Sequence, residues 1–225
     1  MCGRFFIAEE GEDELLNMMI EEASKRQQAI IGESTIARGE VFPSATVAAL
    51  AMGRNGNVGA YPLQWGFHRP NNQGLIINTR SETALEKPMF RQSMLERRCL
   101  IPCSWYFEWE IKDAQQSLLD AAPSLQIQRE SFPKAKNKNA LKIKYAIRPQ
   151  SPGLMYLAAI YRYEEAQRLP VFSILTREPA QEIAFIHDRM PVIFSDTTRY
   201  AWLDRTADPQ TALKQAESKM VFKAA

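Results

Sequence analysis

Apolar residues recur along this chain in two rhythms. Over residues 12–28, Leu15, Leu16, Met19, Ile20 and Ala23 fall at helical spacing, with acidic residues near the start and Lys25-Arg26 near the end. That pattern predicts an amphipathic helix whose charges suit its macrodipole. Almost everywhere else the apolar runs are short. Segments 4–7, 47–52, 58–63, 75–80, 98–101, 104–111, 142–147, 154–161, 171–176 and 192–194 read as strands. Gly53-Arg54-Asn55-Gly56-Asn57 joins two of them as a hairpin turn. Residues 32–43 and 70–74 read as loops. Shorter helices are expected at 81–87 behind a Ser81 cap, at 90–96, at 179–186 behind Pro179, at 195–203, and from Asp208-Pro209 onward.

In 104–111 a period of two sets Trp105, Phe107 and Trp109 on one face and Tyr106, Glu108 and Glu110 on the other. The aromatic face is the expected core. Between 112 and 141 the periodicity dissolves into Gln-, Ala- and Lys-rich sequence, which reads as an inserted mobile loop. Many strands, no regular strand–helix alternation and no internal repeat predict an α+β fold on a mainly antiparallel sheet, as a single domain over 1–225.

Composition narrows the choice of partners. The net charge of +2 permits nucleic acid without arguing for it. No apolar run reaches the roughly 18 residues of a membrane span, and charge at Glu9–Glu14 leaves no room for a secretory h-region. A cytoplasmic monomer is the expectation. Cys2, Cys99 and Cys103 are too few for a disulfide framework. With only His68 and His187 beside them they make no recognisable zinc spacing, so neither metal nor cofactor is expected. Cys99 and Cys103 read as buried structural thiols.

Cys2 is the chemically unusual position. Removal of Met1, favoured by the small second residue, leaves a thiol and a free α-amine on neighbouring carbons. Their ordinary pKa values of about 8.5 and about 7.7–8.0 keep both partly nucleophilic near neutrality. The amine condenses with an aldehyde to an imine, and the thiol then closes a five-membered thiazolidine. Taken alone, such a cysteine is more simply an incidental residue of a frayed terminus.

Five stretches change that weighing: Cys2-Gly3-Arg4, Asn78-Thr79-Arg80-Ser81-Glu82-Thr83, Arg98 to Pro102, Trp105-Tyr106-Phe107-Glu108-Trp109 and His187-Asp188-Arg189-Met190-Pro191. In this order the chain resembles the SOS-response-associated peptidase (SRAP) family, over residues 2 to about 203. Members link covalently to abasic sites in single-stranded DNA through an N-terminal cysteine. The resemblance implies a barrel-like sheet core flanked by helices, and single-stranded DNA carrying abasic sites as the partner. It implies Cys2 as the nucleophile, Asn78 as the amide positioning the sugar, Glu108 as the proton carrier, and His187 as an assisting acid or base. Arg4, Arg80 and Arg189 are the implied phosphate contacts. Singly, Asn78 reads as a turn residue, Glu108 as a solvated carboxylate and His187 as a structural histidine.

The chain departs from the family pattern in two places. Residues 67–72 lack a tryptophan where members carry aromatics that hold unstacked DNA, and Glu40 stands where Asn is commoner. The first departure weakens base stacking and the second sets a carboxylate against phosphate. Two other readings stay open. One is a thiol (auto)peptidase using Cys2 and His187, and the other a non-covalent DNA-binding module.

Overall fold

The computed structural model describes residues 2–70, 73–112 and 141–225. Its strands are β1 (Arg4–Ile7), β2 (Gly39–Val41), β3 (Thr46–Met52), β4 (Val58–Trp65), β5 (Phe67–His68), β6 (Leu75–Ile76), β7 (Asn78–Arg80), β8 (Arg98–Cys103), β9 (Trp105–Lys112), β10 (Leu141–Pro149), β11 (Met155–Arg162), β12 (Val171–Arg177), β13 (Met190–Pro191), β14 (Ile193–Phe194) and β15 (Met220–Ala224). Two longer helices accompany them, α1 (Glu14–Ile31) and α2 (Pro88–Glu96).

One sheet closes on itself. Strands run β12-β4-β3-β8-β11, and β11 pairs again with β12 to complete a ring. Pairing is antiparallel except where β12 meets β4 and β7, which it joins in parallel. Closure removes the sheet edges that would otherwise invite association. The second sheet has the order β15-β10-β9-β1-β2. Phe5 on β1 ties it to the ring through Trp65, at 4.9 Å between ring centroids, and Trp65 stacks in turn near Phe172. The architecture is the α+β, sheet-ring fold that the strand pattern and the family resemblance imply.

α1 follows its sequence signals closely. The Asp13 side chain accepts the Leu16 N–H at 2.9 Å, and Gly32 ends the helix in a left-handed conformation at φ 84°. Its apolar stripe, Leu16, Met19, Ile20 and Ala23, is buried. A second glycine is required by space. Gly66 turns the chain between β4 and β5 at φ 121°, where an added Cβ would meet Leu75 Cδ1 at 2.9 Å.

Several expectations need correction. Residues 32–43 are not all loop, since β2 pairs with β1 at Phe5↔Val41. Residues 81–86 form successive turns and not a helix, because Lys87 precedes Pro88 and is held extended at ψ 121°. Helical structure over 179–186 contracts to a single 3₁₀ turn, Gln181–Ile183. β15 was hidden by its exposed residues. The inserted loop expected at 112–141 lies, but for its two ends, outside the described residues; those ends, Lys112 and Leu141, face each other as the last pair of β9 and β10.

The largest correction concerns β9. Its inward face is Tyr106 and Glu108, 1% and 4% exposed, while Trp105 and Trp109 are only half-buried. Phe5 on neighbouring β1 is inward, and its register partner is Tyr106. The core therefore claims Tyr106 and Glu108, while Trp105 and Trp109 line the outer face, with Phe107 buried between them beneath Lys144.

Candidate active site

Cys2 sits just ahead of β1, which is flanked by β9 on one side and β2 on the other, so the thiol is drawn inward and is 1% exposed. Its Sγ lies 3.7 Å from the Arg4 carbonyl oxygen. Burial pushes the thiol pKa well above its ordinary range, and the negative charge of Glu108 adds to the rise. The resting group is thus a protonated thiol, and its activation needs a proton acceptor.

Asn78 opens β7 and is fixed by that strand's parallel register with β12, opposite Ile174. Its Nδ2 donates to the Cys2 carbonyl oxygen at 2.8 Å. Its Oδ1 is buried and has no hydrogen-bond partner among the described residues, an acceptor ready for a donor from a ligand.

Glu108 enters from β9. His187 comes from the segment between the 3₁₀ turn and β13, and its Nε2 is 3.3 Å from Glu108 Oε1. The His187 Nδ1 accepts the Arg189 backbone N–H at 3.0 Å, which leaves the ring proton on Nε2, toward Glu108. Asp188 Oδ1 also lies 2.7 Å from Nδ1, so a doubly protonated ring would rest between two carboxylates. The arrangement can pass a proton between carboxyl and imidazole beside a thiol.

The four residues implied for chemistry are therefore brought together; the three arginines are not. Arg4 points to the outer face, where its Nη1 donates to Glu40 Oε1 at 3.1 Å. Arg189 is taken by Glu82 in a two-armed pair at 2.8 Å on each arm, and also donates to the Thr176 carbonyl. Arg80 ends β7 exposed to solvent, without an ion pair among the described residues. Glu40 does not stand as a bare repulsive charge, since Arg4 and Lys144 both hold it.

Two neighbours of the site were missed from sequence. Tyr106 is buried, its hydroxyl has no hydrogen-bond partner among the described residues, and burial followed by the charges of Cys2 and Glu108 pushes its pKa up. Its signal was its place two residues before Glu108 on the same strand face. Cys103 is buried and free, with its own pKa raised by burial and then by nearby Cys2. Cys99 is likewise buried and free, as expected of a structural thiol. Among the described residues no group of three or more His, Cys, Asp or Glu could hold a metal ion. No helix there is long and apolar enough to cross a membrane.

A sheet ring with a second sheet tied to it, holding a buried thiol, an amide and a carboxyl–imidazole pair together, defines an α+β protein with one cysteine set among polar groups. The profile described as SOS response associated peptidase (SRAP) matches residues 1–224, and the chain belongs to that family. It is 28% identical over 225 residues to the Bacillus subtilis (strain 168) protein named abasic site processing protein YoqW, covering 93% of this chain and 83% of that one. A second protein of that bacterium, abasic site processing protein YobE, is 28% identical, with 93% and 85% covered. Among solved structures, a Bacteroides thetaiotaomicron protein shares the fold at TM-score 0.68 and 17% identity, covering 99% of this chain and 91% of that one. A phage-related Bordetella bronchiseptica protein does so at TM-score 0.64 and 17% identity, with 100% and 94% covered.

Proposed function

We propose that this chain processes abasic sites in single-stranded DNA by forming a covalent thiazolidine through Cys2 once Met1 is removed. One observation carries the reading: Asn78 clasps the Cys2 carbonyl at 2.8 Å while Glu108, backed by His187, enters from the opposite sheet element. Relatives named abasic site processing proteins support it. So does the chemistry of the sugar, whose ring-opened form offers an aldehyde.

The steps balance without an outside reagent. The Cys2 amine adds to the aldehyde carbon, and the resulting hydroxyl leaves as water after taking a proton from the carboxyl–imidazole pair. The thiol then attacks the imine carbon, its proton returns to that pair, and the ring nitrogen ends as a neutral secondary amine. Aldehyde and aminothiol become thiazolidine and water. Asn78 Oδ1 accepts a hydrogen bond from the sugar, and its Nδ2 holds the cysteine backbone still. Positioning of this kind, plus one well-placed acid–base pair, contributes on the order of 10²–10⁴ in rate. Arg80 is the phosphate contact that needs no prior rearrangement; Arg4 and Arg189 engage only by exchanging their carboxylates for phosphate.

The test is incubation of the Met-processed protein with an oligonucleotide carrying one abasic site, followed by a denaturing gel and intact mass. A stable band restricted to abasic DNA and lost in Cys2→Ala supports the proposal. An equal band from Cys2→Ala would falsify it. Turnover of a peptide without DNA would transfer the cysteine to the peptidase reading.

A further inference from the structure

The solvent face of the second sheet has an unusual composition. Register places Phe6, Trp105, Phe107 and Trp109 on the outer face along β1 and β9, Phe107 buried and the other three half-buried, where a solvated sheet would carry polar side chains. Outward positions on the flanking strands carry several cations: Lys142, Lys144 and Arg148 on β10, interrupted by Ala146, and Lys223 on β15, next to Val221. With Arg4 that makes five cations, against Glu40 as the carboxylate on this face. The cations border the rings closely. Lys144 Nζ is 3.7 Å from the Phe107 centroid and 5.9 Å from that of Trp109; Arg4 Cζ is 5.1 Å from Trp109, and Lys223 Nζ is 5.7 Å from Trp105. Phe6 stacks on Trp105 at 4.4 Å and 7°, which fixes that indole as a rigid plane. Lys142 and Lys223 have no ion pair among the described residues.

An aromatic strip beside a cationic strip is the chemistry of a polyanion whose charges flank unpaired planar groups. We infer that this outer face is a stacking platform for single-stranded DNA flanking the abasic site, with bases over Trp105 and Trp109 and phosphates along Lys142, Arg148 and Lys223. The inference rests on the proposed DNA substrate and extends it beyond the site. Trp105 and Trp109 are separated by about 13 Å along the strand, a span that suits two or three stacked bases as on other sheet platforms. The platform also meets the site: a cleft of about 440 Å³ lined by Gly3, Arg4, Trp109, Ile111 and Lys142 opens beside the residue following Cys2. It supplies tryptophans, which residues 67–72 lack.

The experiment separates this inference from the chemistry by using Cys2→Ala protein and intact strands, so no adduct enters the reading. Binding of a fluorescent oligonucleotide is followed by anisotropy across a salt series. Each single-strand phosphate contact contributes about 0.7 to the slope of log affinity against log salt. The triple variant Lys142→Gln, Arg148→Gln, Lys223→Gln, with its melting temperature checked, is expected to lose about 2 from that slope. Trp109→Ala is expected to weaken binding about tenfold at constant slope. Unchanged affinity and slope in both, equal affinity for fully paired duplex, or no salt-dependent binding by the parent would overturn the platform. Loss of the abasic crosslink in otherwise wild-type protein, with these slopes intact, would overturn the chemistry and leave the platform standing.

Discussion

Replacing Glu40 with Gln should strengthen binding to single-stranded DNA. In the folded protein one carboxylate oxygen serves Arg4 at 3.1 Å and Lys144 at 3.0 Å. Burial raises the Glu40 pKa, but hydrogen bonds from Lys144 and then Arg4 outweigh it and hold the carboxyl below its ordinary value. At neutral pH the three groups therefore sum to one positive charge, and the Gln variant to two. If both cations meet phosphate, the variant releases one more counterion, steepening the salt slope by about 0.7. From a common point near 1 M salt, that slope gives about fivefold tighter binding at about 0.1 M. The cost to folding is small, since the pairs are partly exposed and such pairs contribute about 0–1 kcal/mol each. For a chain of this size that shifts Tm by a few degrees, about 2–4 °C per kcal/mol. Anisotropy with intact and abasic oligonucleotides from 50 mM to about 1 M salt reads both quantities. Tighter binding without a steeper slope would refute the electrostatic account, and weaker binding would make Glu40 a DNA contact.

Four further outcomes follow from the geometry. Glu108→Gln keeps the shape of the site but removes the proton acceptor, so single-turnover adduct formation should slow by about a hundredfold while affinity for intact strands is unchanged. Asn78→Ala loses the hydrogen bond to Cys2 and should cost about 1 kcal/mol of stability by denaturant melt, with a larger loss in adduct rate. Tyr106→Phe removes a buried hydroxyl with no partner among the described residues and should raise stability by about 1 kcal/mol; a slower adduct instead would place that hydroxyl on the substrate. Glu82, paired with Arg189, has its carboxyl held below the ordinary 4.5, chiefly by the Arg189 hydrogen bond. The Glu82 and Glu40 contributions are complete above that value and are lost as pH falls through the depressed ones, so wild-type Tm should drop below about pH 4.5 more steeply than that of Glu40→Gln/Glu82→Gln.

Much of the sheet was legible because buried strands announce themselves: β3, β4, β8, β11 and β12 are apolar runs wherever they are read. β2 and β15 were not, since edge strands carry mixed sequence and owe their pairing to partners distant in the chain. The orientation of β9 was misread for an instructive reason. Apolarity normally tells a strand which way to face, and here the core face holds a tyrosine and a carboxyl while two half-buried tryptophans and Phe107 lie on the other. Motif context singles out Cys2, Asn78, Glu108 and His187, and the fold brings the four together. What sequence could not show was that Arg4 and Arg189 spend their charge on Glu40 and Glu82, because those pairings depend on chain segments brought together only by the fold.

The Cys2 carbonyl is clasped by a residue 76 positions away, and Glu108 is reached by a histidine further still along the chain. Neither contact is local, and the strand carrying Asn78 is set by a parallel register with β12, a pairing whose loop closure is costly. A nascent or half-folded chain therefore exposes an ordinary cysteine with no proton relay beside it. If Cys2 is the nucleophile proposed above, the amide that positions it and the pair that relays its proton are assembled only once these long-range pairings have formed.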